Sequence, residues 1–117
     1  MDLLLNYILD QPDKRLAVYG TLAPGGVNHS VLENIAGSWA EATLPGHIYY
    51  DDGLPYFKWD LDAPLVNIQV LESDILPKYW RELDRFEGEN YGRIWIVARL
   101  ADGELSILNI YKGIHRD

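Results

Sequence analysis

Val18-Tyr19-Gly20-Thr21-Leu22-Ala23-Pro24-Gly25-Gly26-Val27-Asn28-His29 is the stretch around which this chain is organised. The apolar run from Leu16 to Tyr19 breaks into glycine, threonine and a Pro-Gly-Gly turn. Asn28 then stands just ahead of Val31, Leu32 and Ile35, where a helix would begin. The pattern is that of a buried strand, a glycine-opened loop and a capped helix. Such a loop can aim several backbone N–H groups at one point and cradle an anionic group. Gly20 and Gly25 have the spacing of a nucleotide-binding P-loop, but Gly26 and Val27 stand where a lysine and a magnesium-binding hydroxyl are required. Nucleotide hydrolysis is therefore not expected, and a turn holding no ligand is the plainer alternative.

The 117 residues are enough for one core and too few for two. An apolar fraction of 48%, with four Trp and eight Tyr, belongs to a globular protein rather than a disordered one. The formal charge of -8 repels phosphate backbones, which argues against nucleic acid as a partner. The chain has no cysteine, so disulfides, thiolate nucleophiles and zinc–sulfur sites are excluded together. The apolar run at residues 3–9 is too short to span a bilayer, and Asp2 stands where a signal peptide would carry positive charge. The expectation is a soluble cytoplasmic protein with no membrane partner.

Residues 2–10 read as a short amphipathic helix stopped by Gln11-Pro12-Asp13, within an N-terminal extension of residues 1–15; residues 16–117 read as one domain. A strand is expected over 16–20 and a helix over 28–36, ended by Gly37. Residues 38–51 read as extended, bent at Pro45-Gly46. Asp51-Asp52-Gly53-Leu54-Pro55 reads as a loop, with strands over 56–60 and 65–71. Ser73 and Asp74 are placed to cap a helix running to Phe86 or Glu87, with Pro77 in its first turn. Residues 91–100 form a long strand, apolar on both faces over Ile94–Ala98 and so expected at the centre of a sheet. Ala101-Asp102-Gly103-Glu104 reads as a two-residue Asp-Gly hairpin turn returning the chain as a strand over 105–111, before a basic end at 112–117. About six strands and two or three helices in this order imply an α+β fold: an antiparallel-rich sheet or small barrel with helices against it.

One residue stands out for chemistry. At about 100° per residue, Leu76, Trp80, Leu83 and Glu87 share a narrow stripe of the 74–87 helix, while Lys78, Arg81, Glu82 and Arg85 lie opposite. A carboxylate thus ends an apolar stripe at a helix C-terminus. Desolvation and the carbonyl end of the helix dipole both raise such a pKa, which suits a general base near neutral pH. Alternatively the helix frays before Glu87 and the side chain is solvated. No serine sits in a nucleophile-elbow setting. His29, His47 and His115 are far apart with no metal-ligand spacing, so no metal is expected.

Two segments together resemble a known group. Tyr19-Gly20-Thr21-Leu22, followed by Gly26 and Asn28-His29, resembles the opening motif of the gamma-glutamylcyclotransferase-like superfamily. That group includes the AIG2-like proteins and gamma-glutamylamine cyclotransferases. Leu83-Asp84-Arg85-Phe86-Glu87-Gly88, then Tyr91 and Arg93, resembles its second motif at the expected distance, over residues 16–112 in all. The resemblance implies a small mixed, largely antiparallel β-barrel flanked by two or three helices, with a cavity between the first loop and the second helix. It implies that Tyr19, Gly20, Thr21 and Leu22 hold a γ-glutamyl group through backbone N–H groups, and that Glu87 is the catalytic acid/base. Tyr111 falls where some members place a cavity tyrosine, and it reads equally as a core tyrosine with a hydrogen-bonded hydroxyl. Ile68-Gln69-Val70-Leu71 departs from the family's frequent Gly-Glu-Val-Tyr. Glu89 follows the glycine, lies off the stripe and is not expected to be the catalyst.

The implied reaction is cofactor-free cyclisation, of acyl-transfer or lyase type: a γ-glutamyl group closes on itself to 5-oxoproline and releases an amine. The partner would be a small γ-glutamyl compound, the leaving amine is left unnamed, and the assembly would be a monomer or a homodimer. The competing readings are a non-catalytic module binding a small carboxylate in the same cavity, and an interaction protein using its aromatic surface.

Overall fold

The computed structural model describes residues 3–19 and 29–114. The helices are α1 (Leu3–Ile8), α2 (Ser30–Glu33) and α3 (Trp80–Glu87). The strands are β1 (Arg15–Val18), β2 (Ser38–Asp51), β3 (Leu54–Trp59), β4 (Leu65–Glu72), β5 (Tyr91–Leu100) and β6 (Leu105–Gly113). They form one sheet in the order β3-β2-β4-β1-β6-β5, and a β2–β5 pairing closes the last five into a barrel. β1 and β6 run parallel (Leu16 opposite Asn109) and the other neighbours antiparallel, so the barrel is mixed. This is the barrel-with-helices arrangement expected from the order of elements.

Strand alternation divides the core in two. Ala17, Ala42, Leu44, Ile68, Val70, Ile96 and Leu108 pack with Phe57 inside the barrel. On the other face, Leu16, Val18, Leu71 and Tyr111 pack against Leu32 of α2, Ile35 just after it, Leu76, and Trp80 and Leu83 of α3. At roughly 1.5–3 kcal/mol for each large buried side chain, this second cluster is what holds α3 on the barrel.

β2 changes partner at the expected Pro45-Gly46 bend. Pro45 is the last residue to pair with β4, and Gly46 is the first to pair with β3. A Cβ on Gly46 would lie 2.5 Å from the Phe57 ring and 2.7 Å from the Lys58 carbonyl oxygen, so only glycine fits this corner.

Four local expectations are corrected. The described helix after the opening loop is the single turn Ser30–Glu33, because Ile35 N–H closes on the Leu32 carbonyl (2.9 Å) as both side chains turn into the core. The helix expected from residue 73 begins as a 3₁₀ turn over Leu76–Lys78, with α3 starting only at Trp80. Pro77 lacks an N–H there, and Ser73 Oγ donates to the Ala36 carbonyl and accepts from Ile75 N–H (3.3 Å), making a local turn instead of a helix cap. The two hairpin turns exchange roles. Asp52 (φ 53°) and Gly53 (φ 78°) form the two-residue turn between β2 and β3. At 101–104, Gly103 N–H bonds Leu100 O (2.9 Å) and Leu100 N–H bonds Glu104 O (2.8 Å), a turn with a glycine bulge at Gly103. Finally, β5 is not apolar-covered on both faces, for Val97 is 44% exposed beside buried Ala98. Closure of the barrel buries only the inward face.

Candidate active site

Glu87 is the last residue of α3, and Gly88 ends the helix with φ 78°, its N–H bonded to Asp84 O at 3.1 Å. On α3, Trp80 and Leu83 are buried, Glu87 is half-buried and Arg81, Glu82 and Arg85 are exposed, as the spacing predicts; Leu76 is buried, and Lys78 exposed, from the preceding 3₁₀ turn. Burial raises the Glu87 carboxyl from an ordinary 4.5 to about 7. Its charge acts on three phenols, Tyr19, Tyr91 and Tyr111, each raised first by burial. The carboxyl is therefore set among tyrosines that would all be neutral at physiological pH.

Tyr19 is half-buried at the end of β1. Its hydroxyl donates to the Tyr111 carbonyl (2.5 Å) and accepts from Phe57 N–H (3.0 Å), so the side chain anchors the head of the loop to the barrel. Gly20, Thr21 and Leu22, with the rest of residues 20–28, lie outside the described residues, as does His115. Tyr91 donates to the Pro55 carbonyl (2.7 Å) and stacks on Tyr56 (4.7 Å), which stacks in turn on Tyr49 (5.5 Å). Tyr111 is buried against Trp80, its hydroxyl donating to Asp84 Oδ1 at 2.6 Å.

Asp84, one turn before Glu87, leads into a polar network that sequence reasoning missed. Arg93 binds its two oxygens (Nε–Oδ1 2.9 Å, Nη2–Oδ2 3.3 Å), lies 4.1 Å above the Trp80 ring and donates to Asn109 Oδ1 (2.9 Å). Asn109 Nδ2 donates to Asp13 Oδ1 (3.0 Å), which also receives Trp95 Nε1 (2.8 Å). A signal was present in the sequence: Asn109 interrupts an apolar run, and a polar group so placed needs partners when buried. The partners themselves come from three separate segments, the turn at Asp13, α3 and β5, and have no shared spacing.

A cavity of about 650 Å³ opens where β1 ends, lined by Val18, Tyr19, Thr43, Asn67, Gln69 and Arg99 among others, but Glu87 is not in its wall. At the departure from the family pattern, Ile68 and Val70 point into the barrel and Leu71 packs with α3, while Gln69 lines this cavity. Gln69 Oε1 is buried with no hydrogen-bond partner among the described residues. His29 lies against the Trp39 ring (5.5 Å) and His47 pairs with Asp60 (3.0 Å), so the two described histidines are engaged apart from Glu87. Among the described residues no helix is long and apolar enough to cross a membrane.

The fold recurs in solved structures. YkqA from Bacillus subtilis matches with a TM-score of 0.68 and 26% identity over 86% of this chain, which spans 35% of YkqA's length. At5g39720.1 from Arabidopsis thaliana matches with a TM-score of 0.68 and 22% identity, covering 88% of this chain and 70% of that one. An AIG2-like protein from Mus musculus matches with a TM-score of 0.66 and 22% identity, covering 89% and 79%. No curated protein gave a significant sequence match. The family model described as gamma-glutamyl cyclotransferase, AIG2-like, matches residues 16–113, from the first residues of β1 to the end of β6. With both motif segments inside that span, the chain belongs to the AIG2-like gamma-glutamyl cyclotransferase family.

Proposed function

We propose that the protein is a γ-glutamyl cyclotransferase in which Glu87 moves protons while a γ-glutamyl group closes on itself. The observation that carries this reading is the Glu87 carboxyl, half-buried at the end of an apolar stripe and raised to about 7. A carboxyl titrating there can both take and give a proton at neutral pH, the property an acid/base shuttle needs.

The substrate brings its own nucleophile. Glu87 as carboxylate takes a proton from the α-ammonium, and the free amine attacks the γ-carbonyl carbon. A C–N bond forms and the carbonyl electron pair moves onto oxygen. Glu87 then gives that proton to the leaving nitrogen, and the second proton of the attacking nitrogen follows by the same route once the scissile bond has broken. The oxygen pair returns and the scissile C–N bond breaks. Two protons leave the α-nitrogen and two reach the departing amine, which leaves as ammonium beside 5-oxoproline. We assign the holding of the γ-glutamyl carbonyl to backbone N–H groups of the Tyr19–Leu22 segment, as the family motif implies. Tyr19, tied at its hydroxyl to two strands, gives that segment a fixed root. Positioning supplies the remainder, since both reacting atoms belong to one bound molecule.

The test is 5-oxoproline release from a panel of γ-glutamyl amines, amides and peptides, comparing the wild type with Glu87→Gln. The variant keeps size and loses the shuttle, so turnover should fall by at least about 100-fold with binding retained. Turnover that survives the substitution refutes Glu87 as the base. Binding without turnover by the wild type favours the non-catalytic module.

A further inference from the structure

We propose that Tyr111 is a positioning residue that sets the separation between the head of the substrate loop and the catalytic helix. It is joined to both. Its main-chain carbonyl accepts the Tyr19 hydroxyl at 2.5 Å, and its own hydroxyl donates to Asp84 Oδ1 at 2.6 Å. Asp84 and Glu87 are three residues apart on α3 and so adjacent along its surface. One buried residue of β6 therefore spans from Tyr19, where β1 opens into the loop, to the turn of α3 that ends in Glu87.

The other contacts of Asp84 make the span rigid. Arg93 grips both carboxylate oxygens and is held over Trp80, the first residue of α3. Asp84 Oδ1 thus accepts from both Arg93 Nε and Tyr111 while Oδ2 accepts from Arg93 Nη2, and the last turn of α3 has little freedom to slide along β6. Asp84 keeps its two bonds to Arg93 when the tyrosine hydroxyl is removed, so the loss reorients the helix end and does not detach it. Tyr111 does not act on the reacting atoms in this scheme; it acts through Asp84 on Glu87. The inference rests on the assignment of Glu87 as acid/base.

Tyr111→Phe tests it, because the ring and its contact with Trp80 stay and only the hydroxyl goes. The expected result is a fall in kcat of about tenfold with KM changed less than about twofold, since a base displaced by a fraction of an ångström loses alignment while the substrate still binds. Carboxyl-carbon NMR titration of Glu87 in the same variant should move its midpoint down from about 7 toward 4.5 as water reaches it. Tyr19→Phe cuts the span at its loop end and should raise KM more than it lowers kcat. A Tyr111→Phe protein that unfolds earlier but keeps the wild-type kcat and the wild-type Glu87 midpoint overturns the inference and leaves Tyr111 a structural residue. If the wild type releases no 5-oxoproline, the proposed activity fails, and the Glu87 titration alone decides the positioning role.

Discussion

Glu87→Gln should make the protein more stable above neutral pH while making it inactive. The folded chain holds this carboxyl at about 7, against an ordinary value of 4.5. The sign follows from linkage: a carboxyl whose folded pKa is raised binds protons more tightly folded than unfolded. Below pH 4.5 both states are protonated and nothing is lost. Between 4.5 and 7 the unfolded chain ionises first, so stability falls as pH rises. Above 7 the full cost is present. A difference of about 2.5 pH units at about 1.36 kcal/mol each is about 3.4 kcal/mol as an upper bound. Water reaching a half-buried carboxyl reduces this to about 2 kcal/mol. Glutamine has no charge to desolvate and escapes the penalty. Urea or thermal unfolding of both proteins from pH 4 to pH 9 should give matching stabilities at the acid end. The variant should gain about 2 kcal/mol above pH 8, near 8 °C in Tm for a chain of this size. A stability difference that does not vary with pH would refute the argument, because it would mean that Glu87 is as well solvated folded as unfolded.

Four further outcomes are expected. The kcat/KM of the wild type should rise about tenfold per pH unit below the Glu87 midpoint near 7 and level off above it, and a rate that is flat from pH 5 to 8 would remove Glu87 from the role of free-enzyme base. Arg93→Ala should lower stability by about 3 kcal/mol in urea unfolding, since it strips Asp84 of two charge-assisted bonds and leaves Asn109 Oδ1 and the Trp80 face without their partner. Arg93→Lys should recover less than half of that, because an ammonium cannot make the forked contact. Gly46→Ala should cost about 2–3 kcal/mol in the same assay, as its Cβ would overlap the Phe57 ring and the Lys58 carbonyl at the β2 corner.

Legibility in the sequence followed sequence distance. Glu87 could be found because a helix converts spacing into direction, so Trp80, Leu83 and Glu87 of α3 share a face whatever surrounds them. The β2 bend and the β5 strand could be found because proline, glycine and apolar runs act on the local backbone. The break between Lys78 and Trp80 could not, because Pro77 is also tolerated in a helix's first turn. What moved the start of α3 was Ser73, drawn away to the Ala36 carbonyl by a contact across the fold. Likewise Asp102-Gly103 and Asp52-Gly53 carry the same dipeptide, and the pairing register of the flanking strands decided which became the two-residue turn.

What the sequence by itself determined is the set of elements, the motif pair and the carboxylate that ends an apolar stripe, for these depend on neighbours a few residues apart. What only the tertiary structure decided is the environment of that carboxylate: its burial, the phenols of Tyr19, Tyr91 and Tyr111 that feel its charge, and the Asp84–Arg93–Asn109–Asp13 network behind it. Closure of the barrel brings β1, β5, β6 and α3 together from opposite ends of the chain. Desolvation and hydrogen bonding act only between groups that the closed barrel has made adjacent, and no spacing in the sequence encodes that adjacency.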